Sequence, residues 1–351
     1  MSGPVPPSDS LFDDEPVPDA PRPGPGSAIA PAWLDETLFR LGRQLPPSVY
    51  LGTSSWSFPG WQDIVYSRHY TEAQLARSGL AAYAQHPILR TVGIDRSFYQ
   101  PLAAADYARY AGQVPEAFRF VVKAPALVSD AVVRRERGAP ADINPYFLDP
   151  AAATDHFVAP AIEGLGARAG PLVFQLPPLP REWTQGEAAA ATIERIGAML
   201  AGLPRLVNGS APICAIELRN PELLTPRFVR MLREHGARLC VGIHARMPPA
   251  ARQSAALRAM DATEEEGDNW RLKGPLVVRW NLASGFRYEE AKSRYAPFDR
   301  LLDPDIPTRG TLAHLIHVAL KSGQPSFVIA NNKAEGSAPL TAIELARAVV
   351  G

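Results

Sequence analysis

The run CAIELRNP, Cys214 to Pro221, sets Glu217 and Arg219 two residues apart in an otherwise apolar stretch that stops at a proline. Residues two apart in an extended strand share a face. An acid and a base therefore point the same way at one strand end. The pattern recurs. Lys123 closes FRFVVKAP, Gln175 precedes LPP in PLVFQLPP, and His244 ends RLCVGIH. Arg279 and Asn281 share parity in PLVVRWN, Asn331 and Asn332 end SFVIANN, and Asp95 and Ser97 share a face in RTVGIDRS. Lys123, Arg219 and Arg279 supply positive charge, and Gln175 and Asn331 supply amide hydrogen bonds. Such a set suits an anionic or polyhydroxylated ligand: a phosphorylated sugar, a carboxylate or a nucleotide. Glu217 is the acid/base candidate, and flanking cations favour its carboxylate form, a base. Lys123 can clamp charge, carry a proton or, if desolvated, form a Schiff base.

The competing reading is structural. Buried polar groups cost free energy unless paired, so Glu217 could simply neutralise Arg219 or Lys123. A single strand would fit that reading well. Polar residues at the same end of nearly every strand fit a pocket-lining ring better. Metal chemistry is weakly supported. Glu217, His244 and Asp95 come from separate strands, and no ligand spacing ties them together. Two-carboxylate glycosidase chemistry needs a second acid beside Glu217, but the neighbouring strand ends carry Gln175, Arg279 and Asn281. WSFPGWQDIVY holds Trp56, Phe58, Trp61 and Tyr66 around a Pro-Gly turn. These rings can stack on a planar or sugar face, or plug the loop against its support.

The elements that must position these residues form a rhythm from Tyr50 onward. Eight β-rich runs are VYLGTSSW, RTVGID, FRFVVKAP, PLVFQLPP, ICAIELR, RLCVGIH, PLVVRWN and SFVIANN. Helical stretches separate them, and Gly236 and Gly323 stand where two helices should stop. Eight β/α units in order predict an α/β fold of the TIM-type (β/α)8 barrel, with chemistry at the C-terminal strand ends. No GxGxxG follows the first strand, which weakens a dinucleotide-binding sheet. LVSDAVVRRERGAPADINPYFLD, after the third strand, is long, and long loops of this kind are often functional.

The 351-residue chain carries 36 Lys+Arg and 36 Asp+Glu. Zero net charge argues against a broad nucleic-acid or membrane surface. No apolar run approaches a membrane span, and the N-terminus has no signal-peptide pattern. Cys214 and Cys240 sit in apolar runs without metal or CxxC spacing and read as buried thiols in a reducing cytoplasm. Residues 1–28, rich in Pro, Asp, Gly and Ser, read as a disordered leader. Residues 29–48 read as an N-terminal helix with Leu34, Leu38 and Leu41 on one stripe. Residues 49–351 make the barrel.

LGTSSWSFPGWQDIVY resembles the opening block of the domain-of-unknown-function 72 family, also called YecE-like proteins. TVGIDRSFYQ, FRFVVKAP, PLVFQLPP, AIELRNP and IANNKAEGSAP are similar to its later blocks, in the same order. The resemblance runs from about Tyr50 to the C-terminus. It implies a TIM-type barrel and brings no established activity. Trp56, Lys123, Gln175, Glu217, Arg219, Arg279, Asn331 and Asn332 match the family's pattern. Other positions depart from it. Gly93 stands where the family usually has Glu, with Asp95 two residues on. Asp130 replaces a His, His244 an acid, and RWNL a block reading Arg-x-His-Gly. The resemblance thus implies kept ligand-holding groups and altered proton-handling ones.

Together these readings predict an enzyme, a hydrolase, lyase or isomerase, acting without an organic cofactor or metal on a small anionic or polar substrate. Glu217 and Lys123 are the catalytic candidates. Arg219, Arg279, Gln175, Asn331, Asn332, Asp95, Trp56, Trp61 and His244 are the binding candidates. A non-catalytic binding or sensor protein and a nucleic-acid processing protein are the alternatives.

Overall fold

The structure, a computed structural model, describes residues 28–133, 142–263, 266–282 and 288–351. The expected leader, apart from Ala28, lies outside these residues, as does 134–141 of the long loop after the third strand.

Alternation decides which way each strand faces. Val121, Val173, Ala215, Cys240, Val277, Phe327 and Ile329 form one buried cluster, while their neighbours Val122, Phe174, Ile216, Val241, Val278 and Val328 belong to another. The first cluster fills the inside of a closed barrel, and the second packs its wall against surrounding helices. The strands are β1 (Val49–Thr53), β2 (Leu89–Ile94), β3 (Arg119–Lys123), β4 (Ala169–Gln175), β5 (Cys214–Glu217), β6 (Arg238–Ile243), β7 (Leu276–Trp280) and β8 (Ser326–Ala330). All eight pair in parallel with their sequence neighbours, and β1 closes onto β8. This is the expected TIM-type α/β barrel. All eight predicted runs are its strands.

The same parity lifts the polar residues inward, one layer above the apolar plug. Lys123 follows Val121, Gln175 follows Val173, Glu217 follows Ala215 and Arg279 follows Val277. Register fixes their level: Gln175 pairs with Glu217, and Gly242 with Arg279.

Helices return the chain between strands. Thr225 accepts from Phe228 N at 3.3 Å and caps helix Pro226–Glu234, and Asp305 accepts from Thr308 N at 3.0 Å and caps Ile306–Lys321. Such caps are typically worth about 1 kcal/mol. Gly236 and Gly323, both at φ 67°, end those helices in the left-handed conformation that favours glycine. Gln253 clips helix Ala250–Asp261 to β6, its amide exchanging hydrogen bonds of 3.1 and 2.9 Å with the Gly242 backbone.

The N-terminal helix is shorter than the predicted 29–48, covering only Glu36–Gln44. Residues before it are drawn into an extended pairing, with Ala32 N donating to Val65 O and Ser67 N to Ala30 O. Asp35 caps the start, and Pro46 and Pro47 follow the end. Helix Tyr288–Tyr295, between β7 and β8, has no counterpart in the sequence reading. Its largely charged sequence buries Ala291 and Tyr295 on one face, a stripe too short to signal a helix.

Candidate functional site at the barrel mouth

Glu217, at the end of β5, is fully buried. Its Oε1 is ion-paired with Arg219 Nη2 at 2.8 Å and accepts from Asn281 Nδ2 at 3.1 Å, and its Oε2 accepts from Arg279 Nη1 at 2.7 Å. Burial alone would push its carboxyl up. Arg219, Arg279 and Lys123 outweigh that and hold it below the usual range. Gln175 shares the same donors, accepting from Arg279 Nη1 at 2.8 Å and Arg219 Nη2 at 3.2 Å.

Arg279 extends the network across the barrel. Its Nη2 donates to both oxygens of Asp95, at 3.1 and 3.0 Å. Burial opposes its charge, but Asp95 and Glu217 more than compensate and raise its pKa. Lys123, at the end of β3, is 4% exposed, and its Nζ stands 3.5 Å from the centroid of the Phe98 ring. Burial pushes its amine down to about 7. Arg279 and Arg219 push the same way, against Asp95 and Glu217. His244, half-buried beyond β6, accepts the Arg246 N–H at Nδ1. Burial and Arg219 hold its ring pKa near 3, so the imidazole is neutral.

Lys123, Asp95, Gln175, Glu217, Arg219, Arg279 and His244 therefore gather at one end of the barrel. Asn331 and Asn332 have other partners. Asn331 donates to Ser54 Oγ at 2.9 Å and accepts from Lys333 N at 3.0 Å. Asn332 Oδ1 accepts from Trp61 Nε1 at 3.1 Å and from Ala338 N at 2.8 Å, tying the aromatic loop to the last helix. Trp61 is fully buried beside Phe58 and Tyr83. Trp56 donates to Leu75 O at 3.1 Å and packs edge-on against Tyr110. Both rings plug the rim, their indole nitrogens donating to Leu75 O and Asn332 Oδ1.

Four participants were not among the candidates. Asn281 completes the Glu217 shell, and its parity with Arg279 was the available signal. Phe98 faces Lys123, and Ser97 Oγ donates to Lys123 O at 2.6 Å. Lys333 is 3% exposed, and burial with Lys292 nearby pushes its amine down to about 8, against Glu289 and Asp95. It lies in the turn after β8, where parity says nothing.

The positions that depart from the expected pattern have local reasons. A Cβ on Gly93 would lie 2.8 Å from Ser54 O, so this backbone leaves no room for a longer side chain there. Asp130 is buried in the turn after helix Ala126–Ser129, where it accepts from Val132 N at 3.4 Å. Cys214 and Cys240 are unpaired with each other, and burial raises both thiols. Among the described residues, no three His, Cys, Asp or Glu side chains cluster as a metal site, and no helix is long and apolar enough to cross a membrane.

The family model described as "Protein of unknown function DUF72" matches residues 50–351. A solved DUF72 family protein from Thermotoga maritima is 19% identical, with 85% of this chain and 98% of that chain covered and a TM-score of 0.55. Another, from Enterococcus faecalis, is 18% identical over 86% of this chain and 95% of that chain, with a TM-score of 0.52. Likeness at this level shows the fold alone. No curated protein matches the chain.

Proposed function

The chain belongs to the DUF72 family, and from that premise we propose that it is an enzyme acting on a small anionic or polyhydroxylated substrate at the C-terminal mouth of its barrel. One observation carries the reading: side chains from β2 to β7 converge on one buried network whose cations outnumber its carboxylates. Arg219, Arg279 and, when protonated, Lys123 stand against Glu217 and Asp95, and Lys333 adds a further amine from the turn after β8, within electrostatic reach of Asp95. Held together at low dielectric, the excess positive charge favours an anion.

The groups divide by freedom. Glu217 is committed to three donors, so its role is to hold Arg219 and Arg279 in place and keep them charged. Its capacity as a base is correspondingly small. Lys123, without a committed acidic partner, is the group for nucleophilic or proton-transfer chemistry. Asp95 lies within electrostatic reach of it, and His244 lies within reach of Arg219 and Glu217. Gln175 orients the guanidinium groups, while Asn331, Asn332, Trp56 and Trp61 fix the rim. Unpaired thiols fit a reducing cytoplasm, and the reaction needs no organic cofactor.

The test is a thermal-shift and turnover screen of sugar phosphates, nucleotides and small carboxylates, with Arg219→Ala alongside. The expected result is a ligand that raises the wild-type melting temperature, fails to raise that of Arg219→Ala, and is converted. A ligand that binds the wild type and is recovered unchanged would identify a binding protein instead. The commitment of the Arg279 donors to Gln175, Glu217 and Asp95 favours that second reading. Uniform failure to bind would reduce the network to a structural one.

A further inference from the structure

We infer that the Lys123 ε-amine forms an imine with the carbonyl carbon of a small anionic aldehyde or ketone bound at the barrel mouth. The inference rests on the reading of that mouth as a small-anion site.

The first argument is placement. Lys123 ends a barrel strand, directly above the inward-facing Val121, and its backbone carbonyl is fixed by Ser97 Oγ at 2.6 Å. Its nitrogen lies over the Phe98 ring face. Among the described residues, no carboxylate oxygen lies within 4.0 Å of that nitrogen. A buried lysine without a close ion pair is a poor structural element, because desolvation of the charge is not repaid. A desolvated amine beside other cations is, in contrast, an activated nucleophile. Arg219 and Arg279 are those cations, and both are locked in place by Glu217.

The second argument is chemical class. An amine can attack a carbonyl without a leaving group, an oxidant or a metal. The nitrogen lone pair adds to the carbonyl carbon, and the C=O π pair moves onto oxygen. The two amine hydrogens leave with that oxygen as water, and the nitrogen lone pair closes the C=N bond. Nothing is oxidised or reduced. Protonation of the imine would create a cation next to Asp95 and Glu217, both within electrostatic reach of Lys123. Asp95 is the more accessible, its side chain 12% exposed. The anionic substituent of the substrate would face the surplus positive charge of the mouth.

The experiment is reductive trapping on the full chain. Pyruvate, dihydroxyacetone phosphate and ribose 5-phosphate are each incubated with the protein at neutral pH, reduced with borohydride, and read by intact mass and peptide mapping. At least one probe should add a single reduced equivalent at Lys123. Labelling there should exceed that at the exposed Lys321 by at least about tenfold, since an ordinary lysine is almost wholly protonated at this pH. Lys123→Arg should abolish the adduct, with circular dichroism confirming that it folds. The wild-type peptide map decides the matter even if that variant does not fold. Labelling that persists in a folded Lys123→Arg protein overturns the inference. If no probe is trapped while glycerol phosphate still raises the wild-type melting temperature, the imine is excluded and the anion site stands. If neither trapping nor anion binding occurs, both fall.

Discussion

Arg279 Nη1 meets Glu217 Oε2 at 2.7 Å across an intervening strand. β6 separates their strands in the barrel, and at this level β6 carries Gly242, the register partner of Arg279. A Cβ at Gly242 would stand 3.0 Å from Glu217 Cγ and 3.1 Å from its Oε1. The glycine is what lets the pair meet. Gly242→Ala should push Glu217 off its donors and cost about 1–3 kcal/mol, the usual range for overpacking a filled interior. Urea unfolding measures it. An unchanged midpoint would mean that Glu217 can move aside without loss.

Removing one partner of this buried pair strands the other. Arg279→Gln leaves Glu217 with Arg219 and Asn281, and leaves Asp95 without its guanidinium. Breaking a buried pair in this way costs roughly 3–5 kcal/mol. Glu217→Gln should also destabilise. The double variant should lose less than the two single losses combined, because each single change strands a charge that the double change removes. Denaturation of the four proteins gives the coupling. Strict additivity would shift the stabilisation of Glu217 onto Arg219.

The same pair makes stability acid-sensitive. Burial pushes the Glu217 carboxyl up, but Arg219, Arg279 and Lys123 prevail and leave it below its ordinary value. A carboxyl depressed in the folded state stabilises fully above its unfolded pKa of about 4.3. That contribution is lost as pH falls through the folded pKa. The stability gap between wild type and Glu217→Gln should therefore be widest near neutrality and narrow progressively below roughly pH 4. Urea midpoints across that range test it. A gap that widens on acidification contradicts the assignment.

Why the barrel was legible and the network only partly so follows from what a strand pattern encodes. Period-two alternation fixes side-chain direction, so Lys123, Gln175, Glu217 and Arg279 could be placed on the inner face at the correct end from sequence alone. Alternation does not encode which residues meet across strands. Nothing in the sequence ties Arg279 to both Glu217 and Asp95, or shows that Gly242 opens the path. Loop residues lie outside the pattern altogether, so the burial of Lys333 and the approach of Phe98 to Lys123 had no signal. The aromatic loop was ambiguous for the same reason. Trp61 could stack on a ligand or plug the rim until Asn332 was found holding its indole nitrogen. The helix prediction over 29–48 overreached because the pairing of Ala30 and Ala32 with Val65–Ser67 is a tertiary contact.

Lys123 offers the sharpest separation of function from stability. Its amine is faced by Asp95 from the end of β2, by Glu217 and Arg219 from β5, by Arg279 from β7 and by the Phe98 ring. Burial leads the cations in pushing it down to about 7, against the carboxylates, whereas an unfolded lysine titrates near 10.4. Between those values the unfolded chain holds a proton that the folded chain lacks, so this group makes stability rise with pH. Lys123→Met removes both the buried amine and the titration. The variant should be about 1–4 kcal/mol more stable than wild type near pH 7, as found when buried charges give way to apolar side chains. Its advantage should shrink as the pH approaches roughly 10. Urea midpoints at pH 7 and pH 9.5 measure both effects. A variant less stable than wild type at pH 7 would make the lysine a structural counter-charge to Asp95 and Glu217. A more stable variant that no longer traps a carbonyl would show a residue kept at a cost to the fold, as a reactive group must be.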